Sequence, residues 1–283
     1  MILPYKFLVA NRYRIEELIG QGATTEVYRV FDVAQNQSRA LKLIVTHLVP
    51  QEFSLPSILN EMEVSIRLKH PHIVPVYEIG NMREGIFITM SYIKGESLKV
   101  WINHKHHSID EIQRVLLTLA SHIGSALDYA HQNGIVHRDI KPSNIIIDEK
   151  KDMYLLDFGI ASFQNGQGYL HPKLFLGTPP YRPPEDIQKS ISLSSAVDVY
   201  SFASIIGEIV NKFLSGRQES YQLSLDTLAN IQELIGKGTQ PDPGKRYSSI
   251  ADLCGEFMGI LPHLNAKENL SNRNFETEKV MQP

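Results

Sequence analysis

The chain has 283 residues, 42% of them hydrophobic, which suits one large domain or two lobes sharing a cleft. With 28 basic against 31 acidic residues it carries a net charge of −3, so it offers no basic field for nucleic acid and no polybasic membrane patch. Its single cysteine, Cys254, excludes an internal disulfide. The start MILPYKFLVANRYR lacks the features of a signal peptide and no apolar window is long enough to span a membrane, so a cytoplasmic location is expected.

In chain order, Tyr13 to Ile19, Val27 to Asp32 and Ser38 to Ile44 read as short strands joined by Gly20-Gln21-Gly22 and by Gln35-Asn36-Gln37-Ser38. Gly20 and Gly22 let the backbone approach a ligand closely and present N–H groups. In Arg39-Ala40-Leu41-Lys42 a period of two places Ala40 and Lys42 on one face and Leu41 and Leu43 on the other. Ser54, Pro56 and Ser57 signal the start of a helix with Ile58, Met62 and Ile66 as its apolar stripe, ended by His70-Pro71. Glu61 and Glu63 on that helix point about 200° apart. Ile73 to Ile79 and Ile86 to Met90 are two further strands, with residues 80–85 as their turn, followed by Met90-Ser91-Tyr92-Ile93.

Past this point the period changes. His104-Lys105-His106-His107 lacks flanking ligands at metal spacing and reads as a solvated loop. Asp110 to Gln132 has apolar residues at helical spacing through Ile112, Val115, Leu116, Leu119, Ile123 and Leu127, and Gly134 stops it. Then come Ile145-Ile146-Ile147 and Tyr154-Leu155-Leu156, two β-branched or apolar runs separated by the polar turn Asp148 to Asp152. A hairpin returns its ends to one place, so Asp139, Lys141 and Asn144 before it should meet Asp157 after it. Two carboxylates and a carboxamide offer hard oxygen ligands suited to Mg²⁺, while one carboxylate remains to orient a hydroxyl.

These residues, His137-Arg138-Asp139-Ile140-Lys141-Pro142-Ser143-Asn144 and Asp157-Phe158-Gly159, resemble the protein kinase superfamily, in particular its bacterial, eukaryotic-like Ser/Thr members. The resemblance implies a two-lobed α+β fold, with a small β-rich lobe at residues 13–92 and a larger helical lobe at 93–263. An N-terminal extension (1–12) would precede them and a polar, disordered tail (264–283) would follow. It further implies that Asp139 and Lys141 are catalytic and that Asn144 and Asp157 hold Mg²⁺, with Mn²⁺ as its alternative. ATP would be bound by Gly20, Gly22, Val27, Ala40, Lys42 and the backbone of Ser91 and Ile93. Glu61, at the family's spacing from Lys42, would fix that lysine. Thr25 stands where the family's third loop glycine is expected.

The rest of the chain extends the likeness. Gly177 to Glu185 resembles the family's substrate-docking segment, in which Thr178 contacts the catalytic loop and Glu185 pairs with Arg246. Ala196 to Phe213 is apolar almost all round and so belongs in the centre of a lobe. Asp198 in it is then a buried carboxylate that needs hydrogen bonds, and the family supplies them from the backbone of the catalytic loop. The loop between, residues 163–177, contains no Ser or Thr, and Tyr169 is its only hydroxyl, so activity is expected not to require phosphorylation there. The implied reaction is transfer of the γ-phosphoryl group of ATP to a protein Ser or Thr. A pseudokinase and a small-molecule kinase are the rival readings.

Overall fold

The computed structural model describes residues 2–22, 25–45, 66–83, 85–158, 162–163, 180–187, 194–215 and 224–265. Its first lobe is an antiparallel sheet of β1 (Leu8–Val9), β2 (Tyr13–Gln21), β3 (Thr25–Asp32), β4 (Gln37–Val45), β5 (Val76–Met82) and β6 (Gly85–Ser91). The spatial order is β1-β2-β3-β4-β6-β5. Alternation along each strand decides which side chains enter the core. Tyr28 and Val30 of β3 and Leu41 and Leu43 of β4 pack with Tyr13, Ile15 and Phe87, none more than 2% exposed. Val27 and Lys42 pair directly across the ladder, and with Ala40 they lie on the other face.

The segment ahead of Tyr13 is stitched onto this sheet. Leu3 and Val9 are buried in its core, and the Leu3 N–H donates to the Tyr28 hydroxyl at 2.8 Å. Arg12 donates to both oxygens of buried Asp32, at 2.8 and 2.7 Å. The turn between β5 and β6 is tighter than the sequence pattern implies, because Asn81 and Met82 already pair with Ile86 and Gly85. Of the helix expected from Ser54 onward, Ile66 and Arg67 are described and are helical; Glu61 lies outside the described residues.

The second lobe carries α1 (Leu98–Asn103), α2 (Ile109–Thr118), α3 (Gly124–Gln132), α4 (Pro184–Ile187), α5 (Ala196–Phe213), α6 (Leu225–Gly238) and α7 (Ile250–Ile260). Ser108 starts α2 with a reciprocal cap. Its Oγ accepts from the Glu111 N–H at 3.2 Å, and the Glu111 carboxylate accepts from the Ser108 N–H at 2.9 Å. The single helix expected over 110–132 is interrupted by a π turn at Leu119–Ile123, whose wider winding still buries Leu119, Ala120 and Ile123. Gly134, at φ 72°, ends α3 in a conformation that other residues adopt at a cost. His104, Lys105 and His106 are exposed, as expected of a solvated loop, but His107 is buried: it stacks on Trp101 at 3.9 Å between centroids and donates from Nε2 to the Trp101 carbonyl at 2.9 Å.

Helix α5 is the axis of this lobe. Val197, Val199, Phe202, Ile205, Ile206, Ile209 and Val210 are all 0% exposed, as an all-round apolar pattern requires. Above it lie β9 (Ile145–Asp148) and β10 (Met153–Leu155), the expected hairpin, with Ile145 opposite Leu155 and Ile147 opposite Met153. Its turn closes on Asp148, whose Oδ1 accepts from the N–H groups of Lys150 and Asp152, both at 2.9 Å. A third strand, β7 (Gly95–Ser97), pairs with β9, and β8 (Ile135–Val136) pairs with β11 (Ser162–Phe163).

Glu185 of α4 meets Arg246 in a bidentate pair, Nη1 to Oε1 and Nη2 to Oε2, each at 2.7 Å. The guanidinium, fully buried, also donates to the carbonyls of Ala196 at 2.9 Å and Gln240 at 2.8 Å. Removing the carboxylate strands a buried cation. Glu185→Ala should therefore lower the unfolding free energy by about 3–5 kcal/mol in urea titrations at neutral pH. A loss below about 1 kcal/mol would mean that the pair behaves as a surface ion pair.

Candidate active site

The loop from His137 to Asn144 is held from below by one carboxylate. Asp198, fully buried near the start of α5, accepts from the backbone N–H groups of His137 and Arg138, both at 2.8 Å. Its Oδ2 also accepts from His131 Nε2 at 2.8 Å. Burial works to raise the Asp198 pKa, but the His131 hydrogen bond and charge and the Arg138 N–H outweigh it and hold the carboxyl below the usual range. Arg138 needs this support, because its φ of 70° is a left-handed conformation that a non-glycine side chain disfavours.

His137 joins the two ends of the hairpin. The Asp139 N–H donates to its Nδ1 at 3.2 Å, so that nitrogen is an acceptor and Nε2 carries the proton. Nε2 then donates to the Leu156 carbonyl at 2.9 Å, next to Asp157, while the ring packs on Phe158 at 4.5 Å. The Leu156 N–H donates to the Asn144 carbonyl at 2.8 Å, closing the same junction from the other side. Asp157 has φ 64°, the second strained position of the site.

Around this junction five of the expected side chains form two linked groups. Lys141 Nζ donates to Asp139 Oδ2 at 2.6 Å. Asn144 Nδ2 donates to the Asp139 carbonyl at 2.8 Å and to its Oδ2 at 3.0 Å, so the carboxamide oxygen is the atom Asn144 can give a cation. Asp157 forms an ion pair with Lys42, which reaches it from β4. Burial pushes the Asp157 carboxyl up, yet the charge and hydrogen bond of Lys42, with the more distant charge of Lys141, bring it below the usual carboxylate range. Asp139 is 12% exposed and Asp157 32%, so both remain open to a ligand.

Above the junction, Gly20 pairs with Val27, and the Gly22 N–H donates to the Thr25 carbonyl at 2.7 Å, closing the glycine turn. A Cβ on Gly22 would sit 2.8 Å from Thr25 Oγ1, so a side chain there would make the Thr25 hydroxyl turn away. Ala40 pairs with Met90 at the edge of the same cleft face. The Ser91 N–H donates to the Pro75 carbonyl at 3.0 Å, so any main-chain contact from Ser91 to a ligand has to use its carbonyl, and Ile93 lies in the loop between β6 and β7. Glu61, Thr178 and residues 164–177 lie outside the described residues.

Two contributors were not singled out from the sequence. His131 supplies Asp198 with its third hydrogen bond, and His137 acts through its ring as well as its backbone. A buried carboxylate calls for a nearby donor, and that requirement is the only signal that pointed to His131. A third feature is the hydrogen bond from Tyr181 to Glu208 of α5.

Comparison with known proteins follows the geometry. The family model described as "Protein kinase domain" matches residues 13–280. A probable serine/threonine-protein kinase of Clostridium acetobutylicum is 29% identical over 98% of this chain and 43% of its own length. The serine/threonine-protein kinase PrkC of Bacillus subtilis is 28% identical over 87% of this chain and 40% of its own. This chain thus spans about two fifths of these relatives. The crystal structure of the Mycobacterium tuberculosis PknI kinase domain superposes with a TM-score of 0.69 at 24% identity, covering 92% of this chain and 100% of that one, which places the fold. On the extent of the family match, this chain belongs to the protein kinase domain family.

Proposed function

We propose that this chain is an ATP-dependent serine/threonine protein kinase that transfers the γ-phosphoryl group to a Ser or Thr hydroxyl of a protein substrate. One observation carries the reading: at the two ends of one hairpin, Asp139 bound to Lys141 and Asn144 meets Asp157 bound to Lys42. The bacterial relatives named as Ser/Thr kinases support the acceptor class. The rival pseudokinase reading would require loss of Lys42, Asp139 or Asp157, and all three are in place. A cytoplasmic setting is supported by the single cysteine.

In this mechanism the Asp139 carboxylate orients the acceptor hydroxyl and takes its proton. Lys141, already on Asp139, balances charge on the moving group. The Asn144 carboxamide oxygen and the Asp157 carboxylate are hard donors that fit Mg²⁺, with Mn²⁺ as the alternative. When bound, that ion neutralises charge on the phosphate oxygens. Lys42 holds the other phosphates, with Glu61 as its expected partner, so its ammonium exchanges Asp157 for nucleotide oxygen. Gly20 lets the backbone approach the phosphates, whereas the Gly22 N–H is taken by the Thr25 carbonyl; Val27 and Ala40 wall the base, and the Ser91 carbonyl with the Ile93 backbone meets its edge. Thr178 docks the acceptor segment.

Asp157→Ala should lower kcat/KM for a generic Ser/Thr peptide by about 10²-fold or more at saturating Mg²⁺, the usual cost of one central electrostatic contact. Retention of a tenth of the wild-type rate would refute the assignment of Asp157. The Lys42 and Asp157 losses should also fail to add. In a cycle of Lys42→Met, Asp157→Asn and the double variant, steady-state rates should give a coupling of about 1–3 kcal/mol, whereas strict additivity would show that the two side chains act separately.

A further inference from the structure

The catalytic hairpin is clamped to the first lobe by a pair of stacked histidines that the mechanism above does not use. His72 lies just ahead of β5 in the first lobe, and His122 lies in the π turn of the second lobe. Their rings stack at 3.7 Å with an interplanar angle of 20°. Both grip the same residue of β10: His72 Nδ1 is 3.0 Å from the Met153 carbonyl, and the Met153 N–H donates to His122 Nδ1 at 3.2 Å. A carbonyl only accepts and an amide N–H only donates, so His72 carries its proton on Nδ1 and His122 Nδ1 is bare. The backbone runs alongside: the Leu155 N–H donates to the His72 carbonyl at 2.8 Å, and the Val74 N–H donates to the Leu155 carbonyl at 3.0 Å.

We propose that His72 and His122 are a positioning pair that seats the catalytic hairpin on the first lobe only while His122 is neutral. The proposal rests on the kinase reading above for its effect on rate. Protonating His122 at Nδ1 removes the acceptor for the Met153 N–H and brings a charge against the His72 ring. The hairpin so loosened carries Asn144 before its first strand and Asp157 after its second. From the first lobe the facing groups are His70, which accepts from the His72 N–H at 3.2 Å through Nδ1, and His72 itself. From the helix face they are Tyr129, stacked on His70 at 5.4 Å, and from the hairpin Tyr154, 6.0 Å from His72, with Asp148 and with Asp152, whose carboxylate is 3.9 Å from His122 Nδ1.

Burial and the His72 charge lower the His122 pKa against the opposing pull of Asp152 and Asp148, and burial with His72 lowers that of His70. A histidine whose folded pKa is depressed stabilises the fold above its ordinary value of about 6.5. That stability is lost as pH falls from there through the folded pKa. The joint should therefore hold at neutral pH and weaken in mild acid.

The test uses the full chain and the variant His72→Asn/His122→Asn, because asparagine places an amide near the Nδ1 positions without titrating. Between about pH 7.5 and pH 5.5, wild-type kcat/KM for a Ser/Thr peptide should fall at least about threefold more than that of the variant. The melting temperature of the nucleotide-free wild type should likewise fall more than the variant's. On the wild type alone, an NMR titration should show His122 protonating below about pH 6.5, with hydrogen exchange at the Met153 amide accelerating over the same range. Parallel pH profiles, or a Met153 amide indifferent to His122 titration, would overturn the proposal. Coupled titration and exchange in a chain without phosphoryl transfer would support the joint and count against the kinase reading instead.

Discussion

The geometry of the candidate active site depends on one buried carboxylate. Asp198 sits at 0% exposure on a helix that is apolar almost all round, where an ion without partners would be costly. Its oxygens are filled by two adjacent backbone N–H groups and one imidazole, so what stabilises the charge also fixes the chain at His137 and Arg138. The strained φ of Arg138 is tolerable because both amides beside it are pinned. From there His137 extends the constraint across the hairpin to Leu156, which delivers Asp157 opposite Asp139. Helix α5 is thus the foundation on which the polar site is registered.

A second layer of order links the lobes. Lys42 comes from β4, Asp157 from beyond β10, and their ion pair spans 115 positions of sequence. The backbone bridge of Ile73 to Leu155 and the histidine pair on Met153 run beside it, so the first lobe contacts the hairpin through both side chains and main chain. The same Asp157 carboxylate serves the ion pair and, in the proposed reaction, the metal. Ligand binding and lobe contact therefore draw on one group.

Much of this was legible in the sequence where local chemistry forces a local answer. The hairpin was readable because Ile145 to Ile147 is β-branched and Asp148 closes a polar turn, and α5 because it has no polar face. The Glu185–Arg246 pair and the backbone bonds to Asp198 followed from the family resemblance, and both are present. What escaped depends on contacts distant in sequence or on packing that no period encodes. His131 reaches Asp198 across 67 positions, and stacking on Trp101 buries His107 at the end of an otherwise exposed loop. The π turn leaves the apolar spacing of α2 and α3 nearly intact, so periodicity alone could not reveal it.

The dependence of the site on Asp198 can be measured directly by native-state hydrogen exchange at the His137 and Arg138 amides in wild type and Asp198→Asn, each referred to its own global stability. An asparagine presents a single acceptor oxygen to the two N–H groups. The account predicts that at least one of these amides loses about tenfold or more in protection beyond the change in global unfolding, equivalent to about 1.4 kcal/mol of local stability. Protection at both amides that merely tracks global stability would contradict it, and would mean that the loop keeps its shape without the carboxylate.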